Sequence, residues 1–154
     1  MENLKPVNIL LVEDDPGDQK LIKNSMLEQK MANKLNIVSS AEEALEYLEK
    51  SKNGNCETPW PELILLDLNM PGMGGKEFLK RIKNMEDFKM IPVVILTTSD
   101  AEKDIIESYK LQAAGYIRKP VLLSGFCDIA KEIKEYWFTL CRRIPQRQLS
   151  CTKS

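Results

Sequence analysis

Short apolar runs alternate five times with longer stretches of helical periodicity. The runs are Val7-Asn8-Ile9-Leu10-Leu11-Val12, then 35–38, 63–66, 91–96 and 115–118. Leu63-Ile64-Leu65-Leu66 holds no polar residue and is bounded by turn formers, the pattern of a strand buried on both faces. Residues 16 to about 31, 41 to about 50, 75 to about 85, 101 to about 111 and 122 to about 140 read as helices. Leu45 and Leu48 mark the inner face of the second helix, and Phe78, Leu79 and Ile82 that of the third. Alternation of this kind predicts an α/β fold, a doubly wound five-stranded parallel sheet with helices on both faces. Right-handed crossovers leave few ways to wind it.

The punctuation agrees with these elements. Asp15 before Pro16 is an N-cap followed by proline at the first helical position. Ser40 with Glu43 fits a capping box. Residues 51–61 contain Asn53-Gly54, Pro59 and Pro61 and read as a surface loop. Residues 1–141 are expected to form one domain, and the basic, polar stretch 142–154 a tail.

Composition narrows the function classes. The 154 residues carry a net charge of −1, so nothing electrostatic favours DNA, RNA or an anionic membrane as partner. No apolar run approaches a membrane span, and the first residues are not those of a signal peptide, so a cytoplasmic protein is expected. Cys56, Cys127, Cys141 and Cys151 are irregularly spaced, which points to free thiols. Histidine is absent, which removes His-assisted triads, His-ligated zinc and a phosphohistidine on this chain.

The chemistry lies at the strand ends. The first strand closes in Glu13-Asp14-Asp15, the third in Asp67, the fourth in Thr97-Thr98-Ser99 and the fifth in Lys119-Pro120. In a parallel sheet these ends share one rim, where open α/β sheets bind ligands. Clustered carboxylates need a shared cation, and oxygen-only ligation suits Mg²⁺. Lys119 adds a fixed positive charge, and Thr97 a hydroxyl donor. Asp67 in such company can attack phosphorus and carry an acyl phosphate, and an ionised carboxylate needs no general base to do so.

These pieces resemble the receiver domain of two-component response regulators. The resemblance covers about residues 5–141 and rests on four motifs in order: Ile-Leu-Leu-Val-Glu-Asp-Asp-Pro at 9–16, Leu-Leu-Asp-Leu-Asn-Met-Pro-Gly-Met at 65–73, Val-Val-Ile-Leu-Thr-Thr at 93–98 and Gly-Tyr-Ile-Arg-Lys-Pro at 115–120. It implies the flavodoxin-like strand order 2-1-3-4-5. It also implies Asp67 as phosphoacceptor, with Mg²⁺ held by Glu13, Asp14, Asp67 and the carbonyl of Asn69. Thr97 would be the switch hydroxyl, Lys119 the phosphate-pairing lysine and Tyr116 the aromatic that follows phosphorylation. Lys119-Pro120 would be a cis peptide. The metal pair is Glu13 with Asp14 or Asp14 with Asp15; Pro16 assigns Asp15 to the helix cap. Gly74 stands where the family commonly has aspartate.

The Asp-Asp-Pro-Gly-Asp start, the long loop at 51–61 and the C-terminal Glu-Tyr-Trp-Phe resemble stand-alone regulators partnered with phytochrome-type histidine kinases. A phytochrome-like sensor kinase is therefore the expected phosphodonor. No output domain is expected after residue 141. The signal would then leave by contact with another protein, or through a homodimer on the face of the fifth strand and the last helix.

Plainer readings stand beside these. Asp67 can be a turn aspartate before Pro71, Glu13 and Asp14 a solvated helix start, and Lys119 a surface lysine. Thr98 reads as an ordinary strand residue. Tyr136, Trp137 and Phe138 cannot all face one side of a helix, so at least one is expected to be exposed or in an interface. An Mg²⁺-dependent phosphatase with an aspartyl nucleophile is the rival from another class, but it wants an acid where Asn69 stands. A constitutive binding module would keep the fold without the phosphorylation. A flavin protein of similar winding is disfavoured, since Asp14 and Asp15 would repel a flavin phosphate.

Overall fold

In the computed structural model, which describes residues 7–29, 33–120 and 122–136, side chains along the first strand alternate between two cores. β1 (Val7–Val12) sends Val7, Ile9 and Leu11 to one face and Leu10 and Val12 to the other. This is the period of two that a strand imposes, and here both faces are apolar because both are covered. The remaining strands are β2 (Asn33–Val38), β3 (Leu63–Leu66), β4 (Val93–Thr97) and β5 (Gly115–Arg118). All pairings are parallel, and the order is β2-β1-β3-β4-β5, as expected.

The helices are α1 (Pro16–Glu28), α2 (Ala41–Lys52), α3 (Gly74–Lys83), α4 (Glu102–Lys110) and α5 (Leu123–Ile133). Ile22 and Met26 of α1 meet Phe126, Ala130 and Ile133 of α5 under one face of the sheet. Ala44 and Leu48 of α2 meet Phe78, Leu79 and Ile82 of α3 under the other. Helix α4 is different, because Ser108 is its one buried residue and Ile106 and Tyr109 face outward. No helix among the described residues is long and apolar enough to cross a membrane.

Several boundaries move. β2 begins at Asn33, two residues before the apolar run, because the ladder continues from Ile9 opposite Leu35 back to Val7 opposite Asn33. β4 begins at Val93, since Pro92 has no N–H to give a ladder. α1 stops at Glu28, short of the periodicity. Residues 134–136 continue α5 in a wider turn. Tyr136 is exposed, while Trp137, Phe138 and the expected tail at 142–154 lie outside the described residues. Cys127 is a free thiol, but Cys56 is disulfide-bonded, which corrects the expectation of free thiols throughout. Separation along the chain says nothing about proximity in space.

Candidate functional site

Backbone ladders deliver the acids and the lysine to one rim. Just past the strands, Glu13 N–H donates to the Val38 carbonyl (3.1 Å), Asp67 N–H to Val12 (3.0 Å) and Lys119 N–H to Thr97 (2.7 Å). Each side chain is thus carried by a residue whose own backbone is fixed by the neighbouring strand. The first helix starts immediately afterwards, with Asp15 as N-cap accepting the Asp18 N–H at 3.0 Å and Pro16 opening the turn. Gln19 locks this corner by donating from Nε2 to the Glu13 carbonyl at 2.6 Å.

The loop after Asp67 is held by glycines. Gly72 and Gly74 adopt positive φ, +78° and +77°, which side chains rarely tolerate. Gly75 is required for a different reason, because a Cβ there would lie 2.4 Å from the Asp67 carbonyl oxygen and 2.7 Å from Leu68 Cα. Its N–H donates to the Leu68 carbonyl at 3.1 Å, so the start of α3 packs directly on the backbone that carries Asp67.

Glu13, Asp14 and Asp67 bring carboxylate oxygens within 4.8 Å of one another. Glu13 and Asp67 are buried, and Asp14 is half exposed at the mouth. Asp15 is exposed and its carboxylate caps α1, and it is not one of the three clustered acids. Lys119, itself buried, places Nζ against Glu13 Oε1 and 3.2 Å from Asp67 Oδ2. It also lies 2.9 Å from Asp18 Oδ2, a partner that the motifs do not signal. By sequence, an acid at that spacing on a helix's first turn reads only as part of the cap.

The electrostatics follow from burial. Loss of water pushes the Glu13 carboxyl up to about 7, even though Lys119 and the Asp15 N–H favour its ionised form. For Lys119, burial alone would lower the ammonium's affinity for its proton, but Glu13 and Asp18 outweigh it and hold the group well above the usual lysine range. An all-oxygen cluster with an open edge at Asp14 is a fitting donor set for a hard divalent cation.

The hydroxyl and aromatic lie on the next strands. Thr97 ends β4 fully buried, and its Oγ1 accepts from Asn69 Nδ2 at 3.3 Å. Asn69 N–H in turn donates to Asp67 Oδ1 at 3.2 Å. Thr98 is exposed and lies just past the end of β4, not within the strand as the sequence predicts. Tyr116 on β5 is half-buried, and its hydroxyl donates to the Ser99 carbonyl at 2.9 Å. Ser99 Oγ bonds Asp104 Oδ2 at 2.5 Å, and Lys76 of α3 bridges Asp104 (2.5 Å) and Glu107 (2.7 Å) on α4. One expectation fails here. The Lys119–Pro120 peptide is trans, since no cis bond occurs among the described residues. The two isomers of an X–Pro bond differ by only about 0.5–1 kcal/mol, so sequence does not decide between them.

Residues 9–131 match the family of the response regulator receiver domain. The chain belongs to that family. The receiver is 38% identical over 137 residues to response regulator Rcp1 of Synechocystis sp., covering 88% of this chain and 92% of Rcp1. The Mn²⁺-bound crystal structure of Rcp1 superposes on it with a TM-score of 0.80 at 35% identity, covering 91% of this chain and 100% of that one. The phosphorylated cyanobacterial phytochrome response regulator RcpA gives 0.81 at 37% identity, covering 90% and 98%. Rcp1 is thus a relative whose structure was solved with Mn²⁺ bound, and this chain gathers Glu13, Asp14 and Asp67 in one cluster.

Proposed function

We propose that this receiver is a phosphorylation-dependent signalling switch in which Asp67 takes a phosphoryl group from a partner histidine kinase. The observation that carries the reading is the Lys119 ammonium 3.2 Å from Asp67 Oδ2, inside a pocket where Glu13 and Asp14 converge. A carboxylate oxygen of Asp67 forms the new bond to phosphorus while the phosphorus–nitrogen bond of the donor imidazole breaks, and the imidazole keeps the electron pair and takes up a proton. Lys119 neutralises one phosphoryl oxygen, and the Thr97 hydroxyl, an acceptor for Asn69 with its own O–H to give, would donate to another. Mg²⁺ held by Glu13, Asp14, Asp67 and the Asn69 carbonyl would supply Lewis-acid neutralisation of the same oxygens. Hydrolysis of the acyl phosphate by water returns the carboxylate.

Charge on Asp67 draws Thr97 inward, and Tyr116 follows on the same rim. The surface of α4, β5 and α5 then changes, either for a partner protein or for a homodimer on that face. Relatedness to RcpA supports a phytochrome-type kinase as donor, and an intracellular donor implies a cytoplasmic protein. The unit that does this is taken as residues 1–141, with 142–154 as a tail. Asn69 offers an amide donor to Thr97 rather than an acid, which disfavours a phosphatase. The test is acetyl phosphate with Mg²⁺, read by intact mass. Wild type is expected to gain one phosphoryl group and Asp67→Asn none; equal gain on both would overturn the assignment.

A further inference from the structure

Lys119 has three anionic neighbours, and an ammonium has three N–H donors. Glu13, Asp18 and Asp67 between them can occupy all three. Any new acceptor arriving on Asp67 can therefore be served only if one of the present partners is given up. The three are not equally easy to release. The Glu13 and Asp67 side chains are 1% and 6% exposed, whereas that of Asp18 is 25% exposed. Water can replace the ammonium at Asp18, but at the other two the loss would strip a buried carboxylate of its ammonium countercharge and leave it only a backbone N–H. Asp18 is also separate from the oxygen cluster of Glu13, Asp14 and Asp67. Its backbone N–H is tied to the Asp15 carboxylate, so its side chain can swing outward while the helix cap stays in place.

We propose that Asp18 is a positioning residue that holds the Lys119 ammonium in the resting site and yields it to the phosphoryl group on Asp67. It thereby sets how readily the site accepts that group. This rests on the phosphoacceptor reading above. A plain tether between α1 and the end of β5 would account for the same contact, and the two differ in what removal of the charge does. Asp18→Asn shortens nothing and removes the competing anion. The freed ammonium then serves the phosphoryl oxygens better, but without them it settles on Glu13 and Asp67 and opposes a cation there.

The experiment uses the full chain and beryllofluoride, a phosphoryl mimic, at saturating Mg²⁺, with affinity read by titration calorimetry. Asp18→Asn is expected to bind beryllofluoride about tenfold more tightly than wild type, or ~1.4 kcal/mol, and to bind Mg²⁺ alone more weakly. Asp18→Glu, which restores the carboxylate, should return both affinities toward wild type. Asp18→Ser should shift both in the same directions as Asp18→Asn. Unchanged or weaker beryllofluoride binding in either charge-removing variant would overturn the proposal, and so would a parallel loss of both affinities, the mark of a tether. If wild type itself fails to bind beryllofluoride, or Asp67→Asn binds it equally, the phosphoacceptor reading falls and this inference falls with it.

Discussion

Replacing Glu13 by glutamine should make the metal-free protein more stable at neutral and alkaline pH, although it removes a partner of a buried lysine. Glu13 titrates at about 7 in the fold against an ordinary 4.5, because burial strips water from its carboxylate. Its folded state therefore holds the proton more tightly than the unfolded chain does. The stability this proton confers is complete below pH 4.5 and is lost as pH rises through about 7. The difference corresponds to about 3 kcal/mol once the group is fully ionised. Glutamine has the shape of the protonated acid, and its one oxygen can accept from either Lys119 or the Asp15 N–H, which approach different oxygens of Glu13. Urea unfolding in the presence of a chelator is the assay, with wild type and Glu13→Gln compared from pH 4 to pH 8. The variant should be more stable by up to about 3 kcal/mol at pH 8, and the gap should close toward the acid end. A variant that is equally or less stable at pH 8 would refute the reasoning, because it would mean that the ion pair with Lys119 outweighs the burial cost. Saturating Mg²⁺ should narrow the gap by stabilising wild type, about 2.7 kcal/mol at a hundredfold excess over its dissociation constant.

Three further outcomes follow from particular contacts. Lys76→Ala removes both ion pairs that tie α3 to α4, and since such half-exposed pairs are worth about 0.5–1 kcal/mol, amide exchange across α4 should speed up severalfold while that of β1 and β3 is unchanged; uniform exchange would argue against a local clasp. Gly75→Ala drives a Cβ to 2.4 Å from the Asp67 carbonyl oxygen, so it should lower the urea midpoint by the equivalent of about 2–4 kcal/mol and weaken Mg²⁺ binding, and a neutral result would show that the loop yields freely. Hydrogen bonding to Glu28 at 3.2 Å, more than burial, raises the Cys127 thiol above its usual range, so Glu28→Gln should accelerate its alkylation at pH 8 through a larger thiolate fraction; an unchanged rate would dissociate the two side chains.

Much of the site is legible in the sequence because it is written into strand ends. Once Leu63–Leu66 is a buried central strand, Asp67 must emerge at its carboxyl edge, and the same logic brings Glu13, Asp14, Thr97 and Lys119 to one rim. What the sequence does not show depends on side-chain reach or on the balance of small energies. Asp18 meets Lys119 across 101 residues, a proximity that no local pattern encodes. The isomer of Lys119–Pro120 and the pairing of Cys56 depend on tertiary proximity that no local pattern encodes. The start of β2 lies outside the apolar run because ladder geometry, not hydrophobicity, extends the strand to Asn33.

The arrangement places its poorest packing beside its worst electrostatic conflict. Helices α1, α2, α3 and α5 each seal a sheet face with buried apolar side chains, whereas α4 buries only Ser108 and is fastened through Lys76, Ser99 and hydrogen bonds near the surface. Polar fastenings of that kind are worth about 1 kcal/mol each and exchange partners readily, while rearranging an apolar core costs several. Asn69 links Asp67 to Thr97, since its N–H donates to Asp67 and its side-chain amide to Thr97 at the end of β4, and the segment from Ser99 to Asp104 continues from there into α4. Tyr116 reads the same segment through the Ser99 carbonyl. Among the described helices, α4 is therefore the one a perturbation of about one or two kcal/mol at the rim could move with least disturbance of either core, and it carries the exposed Ile106 and Tyr109.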